Sequence, residues 1–86
     1  MTPADRTAVV IAGEPDGTLP EIGAVYDVRH SRKGSFRARV EAVRDEWIDL
    51  TVVEGTARAV MSYNVAYEGD RVTVRGSHTH LTKVPS

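Results

Sequence analysis

The stretch from Tyr26 to Val53 constrains the fold of this chain more than any other part of the sequence. Three runs of alternating apolar and polar residues follow one another there: Ala24–His30, Ser35–Val43 and Trp47–Val53. The polar breaks between them, Ser31–Gly34 and Arg44–Glu46, are short enough for tight hairpin loops. Because successive side chains of a strand point to opposite faces, this alternation is typical of half-buried strands. The sequence therefore predicts a three-stranded antiparallel meander.

The alternation also predicts which side chains of the meander face the core. One face collects mainly apolar positions: Tyr26, Val28, His30, Phe36, Ala38, Val40, Ala42, Ile48, Leu50 and Val52. The opposite face carries charged side chains such as Arg37, Arg39 and Asp49, together with Trp47. Gly34 is expected in the left-handed conformation of the first hairpin loop, which glycine adopts without a steric cost.

The rest of the chain consists of short strand-like runs and turns. Thr7–Gly13 is rich in β-branched residues and predicts a first strand, and Arg71–Arg75 and Ser77–Val84 predict two further strands. Gly55–Asn64 allows either another strand or a short helical turn, since alanine, arginine and methionine favour helix. We prefer the strand because no other segment has a helical pattern. These elements predict an all-β fold, a small antiparallel barrel of about five to six strands with little or no helix.

Length and composition indicate a single small domain. The 86 residues are enough for one core, so one domain over residues 1–86 is expected, with residues 1–6 and 85–86 frayed. The longest apolar run, Ala8–Ala12, is far shorter than the roughly 20 residues of a membrane-spanning helix. No basic, apolar secretory leader is visible and the chain has no cysteine. A cytoplasmic protein without membrane association is the resulting prediction.

Charge is distributed in blocks along the chain. The whole protein has a net charge of −1, but the segment from Val28 to Val40 has five basic residues and no acidic one. Residues 1–27 and residues 41–55 each have a net charge of −4. Two interpretations are open. The basic block forms a surface that attracts an anionic partner, or the charges of neighbouring strands pair with one another across the sheet.

The basic block supplies most of the candidate site residues. They are Arg29, Arg32, Lys33, Arg37 and Arg39. If the first hairpin brings them together, they can neutralise phosphates of RNA or DNA. Arginine also forms bidentate pairs with carboxylates, so an acidic protein surface is an alternative target. Trp47 is added as a candidate contact for either partner; the other interpretation is that it covers one end of the core.

Part of the meander resembles a known family. The segment Gly23-Ala-Val-Tyr-Asp-Val-Arg-His, followed by Lys33-Gly34 and then Val40, resembles the opening of KOW-type modules. These are small Src-homology-3-like barrels of ribosomal proteins and transcription elongation factors. The chain departs from their pattern at Arg37, where the family has a glycine. The resemblance implies a barrel that binds nucleic acid or a protein partner through its loops, without catalysis. In size and style the chain is also similar to accessory proteins of phages and mobile elements.

The sequence contains no catalytic or cofactor motif. It has no cysteine nucleophile, no Gly-x-Ser-x-Gly elbow and no phosphate loop, so we expect a protein that is not an enzyme and has no cofactor. His78 and His80 would point the same way from one strand, and His30 could join them. Two histidines at this spacing are too few to predict a metal site, and none is assigned.

These observations lead to one functional hypothesis and one alternative. The first is a non-catalytic binding module that docks its basic hairpin onto an anionic macromolecule, with nucleic acid or nucleoprotein favoured. The alternative is an adaptor or inhibitor that binds an acidic protein surface, of the kind that phages and mobile elements encode. A homodimer is also possible across a free strand edge, either at Ala8–Ala12 or at the C-terminal strand.

Overall fold

The computed structural model describes residues 9–15, 18–58 and 65–85, and within them the fold is almost entirely β-structure. The strands are β1 (Val10–Ile11), β2 (Val25–His30), β3 (Gly34–Arg44), β4 (Trp47–Gly55), β5 (Ala57–Arg58), β6 (Val65–Ala66), β7 (Arg71–Arg75) and β8 (Thr79–Lys83). A single turn of 3-10 helix, Gly76–His78, precedes β8. The predicted all-β class is therefore confirmed.

Six strands form one mixed sheet in the order β1-β8-β2-β3-β4-β7, and β5 pairs separately with β6. The meander of β2, β3 and β4 is antiparallel, as predicted. The prediction of a purely antiparallel arrangement is wrong at one place, because β1 lies parallel to β8. Among the described residues no ladder joins β1 to β7, so the sheet has two open edges. The closed barrel that the sequence predicted is therefore not found in its strand pairing.

One face of the sheet carries the core. The buried apolar side chains come from every strand of the six: Ile11, Tyr26, Val28, Phe36, Ala38, Val40, Ile48, Leu50, Val52, Val74 and Leu81. Val9 and Ala57 complete the cluster. The inward positions predicted for β4 agree with this set, and so do Tyr26 and Val28 of β2 and the first three predicted for β3. The inward position predicted for His30 is wrong, because its half-buried ring binds the backbone of the loop that follows. In a chain this small, burial of these side chains is the main source of folding free energy.

A β-bulge changes which side chains face the core at the end of β3. Val40 lies opposite Leu50, but Ala42 lies opposite Asp49, so Glu41 is the extra residue. The bulge advances the alternation by one position, because two residues of β3 then oppose one residue of β4. Val43 consequently packs against the core, and the inward orientation predicted for Ala42 is wrong.

Three of the predicted segments differ in length from the strands that the structure has in their place. The first strand is Val10–Ile11, shorter than the predicted Thr7–Gly13, whose first two residues lie outside the described part. Of the ambiguous segment Gly55–Asn64, Ala57 and Arg58 form a strand, and residues 59–64 lie outside the description. The predicted strand Ser77–Val84 begins later, at Thr79.

The sheet edges are β1 and β7. β8 lies between β1 and β2. β1 covers the C-terminal strand at His80 and Leu81, so among the described residues β1 and not β8 forms the edge there. The homodimer itself stays a prediction. Nowhere in the described ranges is there a helix long and apolar enough to cross a membrane.

Candidate functional site

The loop between β2 and β3 forms one end of the sheet and carries much of the predicted basic surface. The side chains of Arg29, Arg32 and Lys33 take part in no ion pair with any residue of the described ranges. Arg29 and Arg32 are exposed, and Lys33 is half-buried. Gly34 closes the loop with a φ of +85°, which confirms its predicted left-handed conformation. We call Arg29, Arg32 and Lys33 the hairpin cations.

His30 holds the hairpin loop in place. Its Nδ1 atom accepts hydrogen bonds from the backbone N–H groups of Arg32, at 3.0 Å, and Lys33, at 3.1 Å. An accepting Nδ1 requires the neutral imidazole with its proton on Nε2. Partial burial, followed by the nearby charges of Lys33, His78 and Arg32, lowers the pKa of His30. The loop thus has a fixed shape while His30 is neutral.

Arg37 and Arg39 lie on the outer face of the sheet and are paired with carboxylates. Arg37 donates to Asp27 at 2.9 Å and approaches Glu54 at 3.3 Å, so it lies between an acidic residue on each neighbouring strand. Arg39 holds Glu41 at 2.9 Å. The contacts of Arg37 are the cross-strand pairing that the block pattern allowed as its second interpretation, whereas Arg39 and Glu41 pair within β3. These two arginines therefore carry little net positive charge to a partner.

Carboxylate networks continue along the outer face at the far end of β3. Glu41 accepts hydrogen bonds from Thr51 and Arg39, which together lower its pKa. Asp49 accepts two from Arg44, at 2.8 and 3.0 Å, and one from Thr73 at 2.8 Å. The pKa of Asp49 is lowered mainly by Arg44 and then by Thr73. The arginine and carboxylate charges on this part of the outer face therefore cancel one another.

The lowered pKa values of Glu41 and Asp49 predict a loss of stability in acid. Each carboxyl binds its proton less readily in the folded state, so its contribution is complete above the unfolded pKa, about 4, and disappears as pH falls through the folded pKa. We expect the urea midpoint to fall on acidification below about pH 4, and Asp49→Asn to reduce that dependence. Glu68→Gln, which removes a carboxyl without a hydrogen bond in the described structure, is the control. Equal acid sensitivity of Asp49→Asn and the wild type would contradict the prediction.

Trp47 lies at the opposite end of β3 from the hairpin cations. It pairs with Arg44, ten residues along the strand from Gly34, which corresponds to roughly 33 Å of extended chain. Its side chain is 40% exposed, and the guanidinium of Arg75 stacks on the indole at 5.0 Å. Arg75 in turn pairs with Glu46 at 2.7 Å. Trp47 is therefore far from the hairpin cations and does not form one site with them.

The structure thus divides the six predicted site residues into three places. The hairpin cations lie at the end of β2 and on the loop that follows it. Arg37 and Arg39 pair with carboxylates on the outer face, and Trp47 lies at the far end of β3. A groove of about 750 Å³ is lined by residues of β2, β3, β4 and β8 and carries both signs of charge. Its charged and titratable residues are Asp27, Arg29, Arg37, Glu54 and His80. No group of three or more histidine, cysteine, aspartate or glutamate side chains in the described ranges is placed to hold a metal ion.

Two further residues, Arg58 and His80, lie beside the hairpin cations, and the sequence did not indicate either position. The backbone N–H of Arg58 donates to the carbonyl of Lys33 at 3.1 Å, and both residues line a cavity of about 360 Å³. His80 lies opposite Arg29 on the neighbouring strand. Arg58 lies within the ambiguous segment Gly55–Asn64, and no sequence pattern relates it to the loop. His80 could have been found only from the pairing of β2 with β8.

Comparison of the chain with protein-family models, with curated proteins and with solved structures found no match to any of them.

Proposed function

We propose that this protein is a non-catalytic binding module that docks the phosphodiester backbone of a nucleic acid onto the end of its sheet. The supporting observation is the contrast between two sets of basic side chains. One set is held by carboxylates: Arg37, Arg39, Arg44, Arg75 and Lys83. The hairpin cations are without an ion-pair partner among the described residues, and they lie at the end of β2 and on the loop that follows it.

Cations that hold no carboxylate suit a phosphate backbone for an electrostatic reason. A cation that already holds a carboxylate has to break that pair before it binds a phosphate, whereas a free one only releases condensed counterions from the nucleic acid. The loop is also held by His30 before any partner arrives, which reduces the entropy that binding has to overcome. Arg58, beside Lys33, extends the same surface.

The resemblance to KOW-type modules supports the same function. Modules of that family are Src-homology-3-like barrels that bind through their loops, and two of the three hairpin cations, Arg32 and Lys33, lie on a loop. The meander of β2, β3 and β4, with the core on one face, is the part of the fold that agrees with such a module.

The proposal predicts strongly salt-dependent binding of single-stranded RNA. Three phosphate contacts give a slope of log affinity against log salt of about −2, so affinity should fall about 20-fold between about 50 and 200 mM salt. Fluorescence anisotropy with labelled single-stranded RNA, and with duplex DNA for comparison, measures both quantities. Absence of binding to either nucleic acid at the lower salt concentration would overturn the proposed function.

The exposed Trp47 favours the alternative of a protein partner. An exposed tryptophan stacked by Arg75 is a typical centre of a protein–protein contact. The two functions are separated by a pull-down with and without nuclease, using the wild type and Trp47→Ala. A specific protein that is retained after nuclease treatment and lost with Trp47→Ala supports the adaptor function.

A further inference from the structure

The three histidines of the chain meet Arg29 around one cavity beside the hairpin loop. The cavity has a volume of about 310 Å³ and is lined by Arg29, His30, Ser31, Ser77, His78 and His80. The rings of His30 and His78 lie 6.1 Å apart. The chain has only these three histidines, and they come from two segments separated by nearly fifty residues. Their convergence is a product of the pairing between β2 and β8.

The walls of this cavity are fastened to each other by backbone contacts. The N–H of Ser31 donates to the carbonyl of His78 at 3.1 Å, which joins the hairpin loop to the 3-10 turn. Arg29 lies directly opposite His80 in the ladder of β2 and β8. The buried Thr79 donates from its hydroxyl to the carbonyl of Arg75 at 2.8 Å and anchors the turn to the core. The lining groups are thus held in position without a ligand.

The chemistry of the lining suits a phosphate group. It offers one permanent cation, two serine hydroxyls that can donate, and imidazoles that become cationic donors on protonation. Among the described residues that line the cavity there is no carboxylate. The charged and titratable groups nearest the imidazoles are basic: Arg29 on β2, Arg32 and Lys33 on the loop, His78 on the 3-10 turn and His80 on β8. His80 and Arg29 also border the outer-face groove that contains Asp27 and Glu54, and both of those carboxylates contact Arg37. Within the cavity itself, none of the described lining residues offers a negative charge that would compete with a bound anion for Arg29.

We propose that this cavity is a phosphate subsite of the nucleic-acid surface, and that His78 and His80 make its affinity increase as pH falls from about 7.5 to about 5.5. The inference rests on the proposed function and adds to it a defined contact and a dependence on pH. His30 has a different role. It remains the neutral acceptor that holds the hairpin loop, because protonation of its Nδ1 would remove both backbone hydrogen bonds.

The direction of the effect follows from charge. Imidazole is neutral at the upper pH and cationic at the lower one, so acidification adds positive charge beside a phosphate whose own charge is constant in a diester. Each imidazole that contacts a phosphate adds one released counterion. The salt slope should therefore become steeper by about 0.7 for each histidine recruited.

The test compares wild type with the double variant His78→Gln, His80→Gln in binding a short oligouridylate, whose bases do not titrate in this range. At about pH 5.5 the wild type should bind about 10-fold more tightly than at about pH 7.5, with a steeper salt slope. The double variant should lose most of this increase, which is measured as the ratio of its own affinities at the two pH values. Thr82→Gln, on the outer face of β8, is the matched control and should keep the increase. Equal pH dependence in the double variant and the wild type would overturn the subsite.

A second measurement separates this inference from the proposed function. Sulfate keeps its charge over the same range of pH, and its binding is followed by the NMR signals of the histidine rings in the wild-type protein. Saturable shifts of the His78 and His80 rings that grow on acidification support the subsite even if no RNA binds. Binding of oligouridylate with no sulfate response and no pH dependence would leave the proposed function in place and exclude the subsite.

Discussion

Replacing Leu50 with alanine is expected to destabilise the fold by about 2–5 kcal/mol. The side chain of Leu50 is 0% exposed, on the strand that lies between β3 and β7. Its neighbours across the ladders are Val40 and Val72. Removing its branched end leaves a cavity that neighbouring strands, fixed by their hydrogen bonds, cannot close. In a domain with a total stability of about 4–13 kcal/mol, this is a large fraction.

Urea denaturation followed by circular dichroism measures the loss for Leu50→Ala. If that variant does not fold, Leu50→Met provides the second measurement, because a swap of similar volume should cost less than about 1.5 kcal/mol. Val10→Ala is the matched control: its side chain is 46% exposed, and its removal should change stability by no more than about 0.5 kcal/mol. Equal losses for Leu50→Ala and Val10→Ala would show that the core is not where the structure places it.

Neutralising the hairpin cations together should remove most nucleic-acid binding. The triple variant Arg29→Gln, Arg32→Gln, Lys33→Gln removes three contacts that together give a salt slope of about −2, so affinity at about 50 mM salt should fall more than 100-fold. The backbone hydrogen bonds that hold the loop use main-chain N–H groups of two of these residues and survive the change. The fold should therefore be retained, which a circular dichroism melt verifies.

A matched variant makes this experiment decisive. Replacing Arg37, Arg39 and Arg44 with glutamine removes the same number of charges, but from guanidiniums that already hold carboxylates. We expect its affinity to stay within about fivefold of the wild type, since salt screens the remaining long-range effect. Similar losses in both variants would indicate that net charge, and not the hairpin loop, controls binding.

Sequence reasoning was most successful where local alternation and turn chemistry act together. The meander, the burial of Ile48, Leu50 and Val52 and the left-handed Gly34 were all predicted, because period-two alternation and a glycine loop depend on neighbours along the chain. It failed at Ala42, where one extra residue in β3 reverses the alternation. A bulge leaves no mark in the pattern of polar and apolar residues, since its position depends on the register with β4.

The sequence by itself determined the class of fold, the composition of the core and the block of basic residues on the first hairpin. Only the tertiary structure decided which of those basic residues are held by carboxylates and which are not, because Asp27 and Glu54 reach Arg37 from different strands. It also decided the parallel placement of β1 and the meeting of His78 and His80 with Arg29. Ion pairing and site assembly depend on distances of a few ångströms between segments far apart in the chain, and those distances are set by strand order and register.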